Sequence, residues 1–262
     1  MAAIIAHRGG AFLWPENSLA AFRASLALPV EEVECDIHPS ADGVPMVIHD
    51  PTLDRTTDLS GPVIARSAAE LGAARMRGAP TEAVPTLAAL AALVRPTEKR
   101  LRVEVKTDAA GRPYPGLLEK ALTVLVAEGM LARTVIIAFH GPTAAAAWAH
   151  GGLAGAVWLV STRVLEAIGP RGVMAAADTL GVPEVDTSAA DATAELVAAA
   201  RGAGRGFGVW AANHGSEISA ALALGVDALA TDDPPLALAL RDGVRAAGTQ
   251  HREGRRARSE AG

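Results

Sequence analysis

The sequence predicts an α/β fold, a TIM-type (β/α)8 barrel with a small insertion after the second strand. Three observations lead to this prediction: eight short β-rich runs, Ala- and Leu-rich helical segments between them, and a length of 262 residues. Such an alternation is typical of parallel strands buried on both faces. A single barrel usually needs about 250 residues, so one barrel domain over residues 1–240 would account for almost the whole chain.

The eight strands are predicted from apolar runs bounded by turn residues. The second run is doubled across Asp42–Gly43, a common hairpin signal. The predicted strands are Ala3–His7, Val33–His38 with Val44–His49, Arg102–Lys106, Thr134–Phe139, Gly155–Val160, Glu184–Thr187, Gly206–Ala211 and Ala228–Thr231.

Helices are predicted between the strands, and several begin at a Ser, Thr or Pro suited to an N-cap. They are Ser18–Leu28, Thr86–Val94, Leu117–Glu128, Thr143–His150, Ala189–Ala200 and Glu217–Leu224. Residues from about Asp50 to Val84 have no clean period, so we expect an insertion over the barrel mouth there. Residues 241–262 are rich in arginine and predict a basic C-terminal tail without a role in the fold.

Composition excludes several classes of protein. Half of the residues are hydrophobic and 20% are charged, which indicates a globular chain rather than a disordered one. The net charge of −5 argues against a nucleic-acid partner. We find neither a leader peptide nor an apolar run of membrane-spanning length, so we expect a cytoplasmic protein without stable membrane insertion. Cys35 is expected to be a small buried hydrophobe. No sequence feature indicates the oligomeric state.

The polar residues that follow or end the apolar runs form a short and chemically coherent set. In a barrel of this type the active site lies at the C-terminal ends of the strands. The first four β-rich segments deliver His7 and Arg8, Glu34 and Asp36, His49 and Asp50, and Glu104 and Lys106.

Three carboxylates in this set predict a metal site. Side chains alternate along a strand, so Glu34 and Asp36 face the same side, and Glu104 follows the same rule on the adjoining strand. A single Glu is more often a surface or ion-paired residue, but three inward-facing acids in apolar strands need compensation. Oxygen ligands favour one Mg²⁺ or Ca²⁺ ion over Zn²⁺.

The remaining residues suit acid–base chemistry on an anion. His7 and His49 both end apolar runs and fit a general acid and a general base. Arg8 and Lys106 could bind a phosphodiester, although an ion pair of Lys106 with Glu104 is an equally good interpretation. His140 also ends a strand and is a weaker candidate for a substrate contact, whereas His38 and His150 are interpreted as surface residues.

Taken together, the motifs resemble one known family, the glycerophosphodiester phosphodiesterases. The resemblance covers the chain up to about Leu240, and the ordered set is specific although no single dipeptide is. The matching segments are His7–Gly9, Pro15–Ser18, Glu34–Ile37, Asp42–Gly43, His49–Asp50, Leu53–Thr57, Val84–Leu87, Val103–Lys106, Val209–Asn213 and Gly225–Pro234.

This resemblance implies metal-dependent cleavage of a glycerophosphodiester to an alcohol and glycerol 3-phosphate. It implies an acid–base pair of His7 and His49, and it implies that Trp210 walls the substrate pocket, although a core role for Trp210 is also open. The implied metal ligands are Glu34, Asp36 and Glu104, and the implied phosphate contacts are Arg8 and Lys106. Asn17 is a further candidate near the substrate; it either orients the loop after the first strand or caps the following helix.

Two other functions remain open at this point. A lysophospholipase D-like enzyme would use the same residues on a longer lipid, and it would need an apolar mouth in the segment from Asp50 to Val84. A barrel that binds a phosphorylated ligand without turnover would not need both histidines and all three carboxylates. The presence of all five residues favours an enzyme, and because the segment from Asp50 to Val84 is rich in Arg, Thr and Gly, we favour a small, water-soluble glycerophosphodiester as its substrate.

Overall fold

A closed barrel of parallel strands forms the centre of the protein. The computed structural model describes residues 1–244. Within this range, β1 (Ala3–Ala6) pairs in parallel with both β2 (Glu32–Pro39) and β11 (Ala228–Thr231), which closes the sheet and confirms the predicted (β/α)8 barrel. From β2 round to β11 the intervening strands are β6 (Arg100–Val105), β7 (Thr134–Ala138), β8 (Gly155–Val160), β9 (Glu184–Ser188) and β10 (Gly206–Trp210).

Helices cover the outside of this barrel. A last helix follows β11 over 234–244. No helix in this part of the chain is both long and apolar enough to cross a membrane. The helices that connect the barrel strands are α1 (Leu19–Leu26), α3 (Leu87–Val94), α4 (Leu117–Ala127), α5 (Gly141–His150), α6 (Thr162–Leu180), α7 (Ala194–Gly202) and α8 (Gly215–Leu224).

The main apolar core lies between the barrel strands and the surrounding helices. Val33, Cys35 and Ile37 on β2 are fully buried in this core, as the alternation of side chains predicts. Cys35 is therefore the buried hydrophobe expected from the sequence. The residues between them on β2 point into the barrel, which places Glu34 and Asp36 on its inner face.

The insertion after β2 has a small core of its own. It begins with β3 (Pro45–Val47), which pairs antiparallel to β2, and continues through the short helix α2 (Ala68–Leu71) and the hairpin of β4 (Arg75–Met76) and β5 (Ala79–Ala83). Its buried residues form a cluster separate from the main core: Met46, Ile48, Leu53, Val63, Leu71, Ala74 and Val84. These elements are too short to give a readable period, which is why the sequence predicts only an irregular segment.

Two of the helices that connect barrel strands differ clearly from the prediction. Helix α6 is absent from the predicted set, because Gly169, at φ 63°, and Pro170 interrupt it and obscure its period. Helix α7 begins at Ala194 rather than Ala189, since the Thr193 side chain accepts a hydrogen bond from the Leu196 amide and so caps the helix.

The predicted C-terminal tail begins too early. The last helix continues through residue 244, and Arg241 Nη1 lies 2.8 Å from the Glu31 carboxylate and 3.2 Å from the Ala2 carbonyl oxygen. Residues 241–244 therefore pack with the barrel instead of leaving it. The rest of the predicted tail lies outside the described residues.

A substitution at Leu90 tests the main core between the barrel strands and the helices. Leu90 is fully buried on α3, so Leu90→Ala should lower the free energy of unfolding by about 2–5 kcal/mol through lost contacts and a residual cavity. The matched control is Val126→Ala on α4, where the side chain is 55% exposed and the change should stay within about 0.5 kcal/mol. Urea unfolding measures both values, and equal midpoints for the two variants would contradict this packing.

Candidate active site

A cavity of about 300 Å³ opens at the C-terminal end of the barrel strands. Most of the residues predicted from the sequence meet there, although they come from separate segments of the chain. The predicted residues that line it are His7, Arg8, Glu34, His49, Glu104, Lys106 and Trp210. The position agrees with the general location of active sites in such barrels.

His7 follows β1 directly, and a carboxylate fixes its ring. Its Nδ1 lies 2.7 Å from Asp232 Oδ1, and its Nε2 lies 3.9 Å from Glu34 Oε2. Because a carboxylate can only accept, Nδ1 carries the proton in this bond. Burial lowers the pKa of His7, but the negative charges of Glu34 and Asp232 outweigh burial and raise that pKa above its usual value.

His49 follows β3 and has the same arrangement with another partner. Its Nδ1 lies 2.7 Å from Asp50 Oδ1. Arg55 holds Asp50 through two hydrogen bonds, of 2.7 and 2.9 Å, and also donates to both oxygens of Glu16. Burial, together with the positive charges of Lys106 and Arg8, lowers the pKa of His49.

Sequence reasoning assigned no role to Asp232 or Asp50, although the segments that contain them were noted. Asp50 could have been found as the neighbour of His49. For Asp232 the signal was the closure of the barrel, because β1 and β11 pair with Ala6 opposite Thr231 and so place His7 beside Asp232. In both pairs the carboxylate fixes the tautomer and leaves Nε2 free for proton exchange.

Three buried carboxylates lie next to the histidines. Oxygens of Glu34, Asp36 and Glu104 come within 4.8 Å of one another. Burial and the charge of Asp36 raise the pKa of Glu34 to about 7, and burial also raises the pKa of Glu104. Burial acts in the same direction on Asp36, but Lys106 and Arg8 reverse the effect and hold the pKa of Asp36 well below its usual value.

Both predicted phosphate-binding cations contact these carboxylates. Lys106 Nζ lies 2.8 Å from Glu104 Oε1 and 3.2 Å from Asp36 Oδ1, so its ion pair with Glu104 is formed. Arg8 Nε lies 3.3 Å from Asp36 Oδ2, and its Nη1 donates to Glu16. Both cations also line the cavity, where an anionic ligand would reach them.

The three carboxylates fit a divalent cation. Glu34 Oε1 is buried without a hydrogen-bond donor, so one ligand oxygen is left for a cation. All the candidate ligand atoms are carboxylate oxygens, the type that Mg²⁺ and Ca²⁺ prefer. The residues that would hold the ion are therefore Glu34, Asp36 and Glu104.

Strained backbone also concentrates at this site. The non-glycine residues with left-handed φ in the described chain are Arg8 (50°), Asn17 (57°) and Ala211 (57°). Arg8 and Ala211 line the cavity, and Asn17 contacts Asp36. Each such residue costs roughly 1–3 kcal/mol, so the surrounding packing must hold these turns in place.

The three weaker candidates for a substrate contact, Asn17, His140 and Trp210, lie in different surroundings. Asn17 does not line the cavity; its Nδ2 donates to Asp36 Oδ2 at 2.9 Å, while Ser18 caps α1. His140 does not line the cavity either; its Nδ1 pairs with Thr143 Oγ1 at the start of α5. Trp210 does line the cavity and packs edge to face on Phe139, with ring centroids 5.7 Å apart.

His38 is not the surface residue expected from the sequence, because only 1% of it is exposed. Its Nε2 donates to the His49 carbonyl oxygen at 3.0 Å, and its Nδ1 pairs with the Tyr114 hydroxyl at 3.2 Å. Burial lowers the pKa of His38 to about 4, which keeps the ring neutral. His38 therefore supports the backbone of His49 from behind the cavity.

A second group of buried charges, not predicted from the sequence, lies deeper in the barrel. Arg102 is 3% exposed, and its Nε donates to Glu32 at 2.8 Å. Its two terminal nitrogens contact Asp186 Oδ2 at 3.1 Å and Glu184 Oε1 at 3.2 Å. Arg102 and Asp186 both line the cavity.

The fold and the cavity together define a class of protein, a (β/α)8 barrel whose cavity brings carboxylate-bound histidines next to a cluster of carboxylates. Residues 7–236 match the glycerophosphoryl diester phosphodiesterase family. The chain belongs to this family, which confirms the resemblance seen in its motifs.

Two named relatives match parts of the chain. A glycerophosphodiester phosphodiesterase of Caldanaerobacter subterraneus is 31% identical over 142 residues, which cover 52% of this chain and 58% of that protein. Glycerophosphodiester phosphodiesterase 1 of Rattus norvegicus is 54% identical over 57 residues, which cover 22% of this chain and 17% of that protein. The chain thus spans less than two thirds of the length of either relative.

Solved structures match over more of the chain. A protein of Agrobacterium tumefaciens whose assigned name is glycerophosphoryl diester phosphodiesterase is 36% identical, with a TM-score of 0.90 over 94% of this chain and 99% of that one. A phosphodiesterase of Oleispira antarctica, solved with the product sn-glycerol-3-phosphate, is 23% identical, with a TM-score of 0.76 over 92% and 96%. The likeness to the Oleispira antarctica protein shows a shared fold.

The bond between His7 and Asp232 leads to a prediction. Asp232→Asn removes a negative charge from His7 and should therefore lower the pKa of His7. An NMR titration of the histidine side chains in metal-free protein measures this change, with His150, exposed at the end of α5, as the internal reference. An unchanged or higher pKa for His7 would contradict the pairing.

Proposed function

We propose that this protein hydrolyses glycerophosphodiesters to an alcohol and glycerol 3-phosphate in a metal-dependent reaction. One observation carries the proposal: two carboxylate-bound histidines line the same cavity as Glu34 and Glu104, which form a cluster with the buried Asp36. Membership of the family supports it. The Oleispira antarctica protein, which shares the fold, was solved with the same product.

In this proposal the histidines exchange protons through Nε2. One ring takes a proton from the attacking oxygen, and the other gives a proton to the alkoxide that leaves as the P–O bond breaks. Asp232 and Asp50 stabilise each ring when it becomes charged. Arg8 and Lys106 stabilise the charge on the phosphoryl oxygens. A divalent ion on the three carboxylates would add Lewis-acid polarisation of a phosphoryl oxygen.

One observation favours the lipid substrate as a second candidate. A further cavity, of about 580 Å³, lies between the insertion and the loop before α4. Pro51, next to Asp50, and Tyr114, which pairs with His38, line it. Its other lining residues are mostly apolar and include Pro62, Ile64, Pro113 and Pro115. The apolar chain of a lysophospholipid would need a surface of this kind, to which Asp108 and Arg112 add a charged pair.

A cytoplasmic location and the lack of a nucleic-acid partner stay predictions from the sequence.

The histidines test the mechanism. His7→Ala and His49→Ala should each lower kcat for glycerophosphocholine by about 10²–10⁴-fold, because each removes one proton-transfer group. The control is His150→Ala, far along α5 with an exposed ring, which should keep wild-type kcat. Circular dichroism checks that each variant is folded. A double variant of His7 and His49 with near wild-type turnover would refute the mechanism.

Metal removal tests the cofactor and the choice of substrate. Release of glycerol 3-phosphate from glycerophosphocholine and glycerophosphoethanolamine should disappear with EDTA and return with Mg²⁺ or Ca²⁺. Glu34→Gln should raise the ion concentration needed for half-maximal rate, because it replaces a charged ligand by a neutral one. Lysophosphatidylcholine is tested in parallel. Turnover of the lipid alone would favour the second candidate, and full activity in EDTA would exclude metal dependence.

A further inference from the structure

The guanidinium group of Arg55, in the insertion, binds two carboxylates at once. Its Nε and Nη2 donate to the two oxygens of Asp50 at 2.7 and 2.9 Å. Its Nη1 and Nη2 donate to the two oxygens of Glu16 at 2.6 and 2.8 Å. Both pairs are therefore bidentate, an arrangement that fixes geometry as well as charge. Arg55 does not line the active-site cavity, so it can act on the chemistry only through these partners.

The orientation of Asp50 depends on Arg55. Asp50 Oδ1 accepts from His49 Nδ1 at 2.7 Å and from Arg55 Nη2 at 2.9 Å. Within residues 1–244 no other side chain forms a hydrogen bond with this carboxyl group, which is 24% exposed and could turn towards water if Arg55 were removed. The hydrogen bonds from Arg55 are also the main reason that the pKa of Asp50 lies well below its usual value, so Asp50 stays an ionised acceptor.

The other histidine of the cavity has an equivalent support. Asp232, which holds His7, is itself held by Asn213: Asn213 Nδ2 donates to Asp232 Oδ2 at 2.8 Å, and Asn213 Oδ1 accepts from the Asp232 amide at 2.8 Å. Each histidine thus has a carboxylate partner, and each carboxylate is fixed by a further side chain. For Asp50 that side chain is Arg55.

An exposed ion pair without any effect on the site is the alternative interpretation. The Arg55 side chain is half exposed, and such pairs usually stabilise a protein by no more than about 1 kcal/mol. Arg23 provides the comparison, because its Nη1 donates to Glu82 at 2.9 Å and so joins α1 to β5 of the insertion, with a side chain that is 57% exposed. Arg23 contacts neither histidine of the cavity nor a carboxylate partner of one. If Arg55 only anchored the insertion, the two arginines would be equivalent.

We propose that Arg55 is a positioning residue for His49: it holds the Asp50 carboxylate against Nδ1, so that Nδ1 keeps its proton and Nε2 is the atom that exchanges protons. This inference rests on the proposed function, in which His49 exchanges protons through Nε2. The ring needs this state whether His49 takes or gives the proton. A neutral imidazole ring by itself prefers the proton on Nε2, and only the hydrogen bond at Nδ1 reverses that preference.

Hydrolysis of glycerophosphocholine tests the effect on catalysis. Arg55→Ala should lower kcat by roughly 10–100-fold with KM nearly unchanged, since misplacing a reacting group by about 1 Å can cost about 10²-fold. Arg55→Lys keeps the charge but loses the fork, so it should lose nearly as much kcat. The matched control, Arg23→Ala, should keep the wild-type kcat. Thermal unfolding checks that each variant is folded.

The tautomer of His49 tests the positioning without turnover. NMR of the ring nitrogens in metal-free protein, at a pH where His49 is neutral, should show the proton on Nδ1 in the wild type and in Arg23→Ala, and a shift of the proton towards Nε2 in Arg55→Ala. Wild-type kcat in either Arg55 variant, an unchanged tautomer in Arg55→Ala, or an equal loss of kcat in Arg23→Ala would overturn the inference. If the wild-type protein does not hydrolyse glycerophosphocholine, the proposed function fails, and the tautomer alone decides whether Arg55 orients His49.

Discussion

The burial of three carboxylates side by side is the constraint on which the rest of the site depends. Glu34, Asp36 and Glu104 are at most 7% exposed, and a buried charge is stable only when it is paired. Lys106 and Arg8 compensate Asp36 and hold its pKa low, whereas burial and the charge of Asp36 raise the pKa of Glu34 to about 7. Glu34 is thus the member of the cluster that binds a proton near neutral pH, unless a metal ion replaces that proton.

This constraint extends to the insertion through a series of ion pairs. Arg8, beside the carboxylates, contacts Glu16; Glu16 contacts Arg55; and Arg55 holds Asp50, the partner of His49. Exposed pairs of this kind contribute little to stability individually, and Arg55 is half exposed. Their effect is geometric, because they connect the loop after β1, which carries Arg8 and Glu16, to the segment that carries His49. The insertion is thereby fixed relative to the barrel beside the two histidines.

Local patterns in the sequence were sufficient for the barrel and for the candidate carboxylates. Alternation along β2 and β6 placed Glu34, Asp36 and Glu104 on the inner face, where the structure brings them together. The features that the sequence did not predict correctly depend on packing between distant segments. His38 is polar and was expected at the surface, but the Tyr114 hydroxyl and the His49 carbonyl oxygen pair with its ring and allow burial. The broken period of α6 and the Arg102 cluster, which joins β2, β6 and β9, likewise have no local signal.

The inner and outer faces of the barrel strands carry different kinds of side chain. Barrels of this type usually fill the interior with bulky branched side chains. Here β10 contributes Gly206 and Gly208 and β11 contributes Ala228 and Ala230, and the space beside these small residues holds the Asp186 carboxyl group and part of the cavity. The inner apolar clusters are correspondingly small. Most apolar burial therefore lies outside the strands, against the helices, which leaves the inner layer free to carry the charged and polar groups of the site.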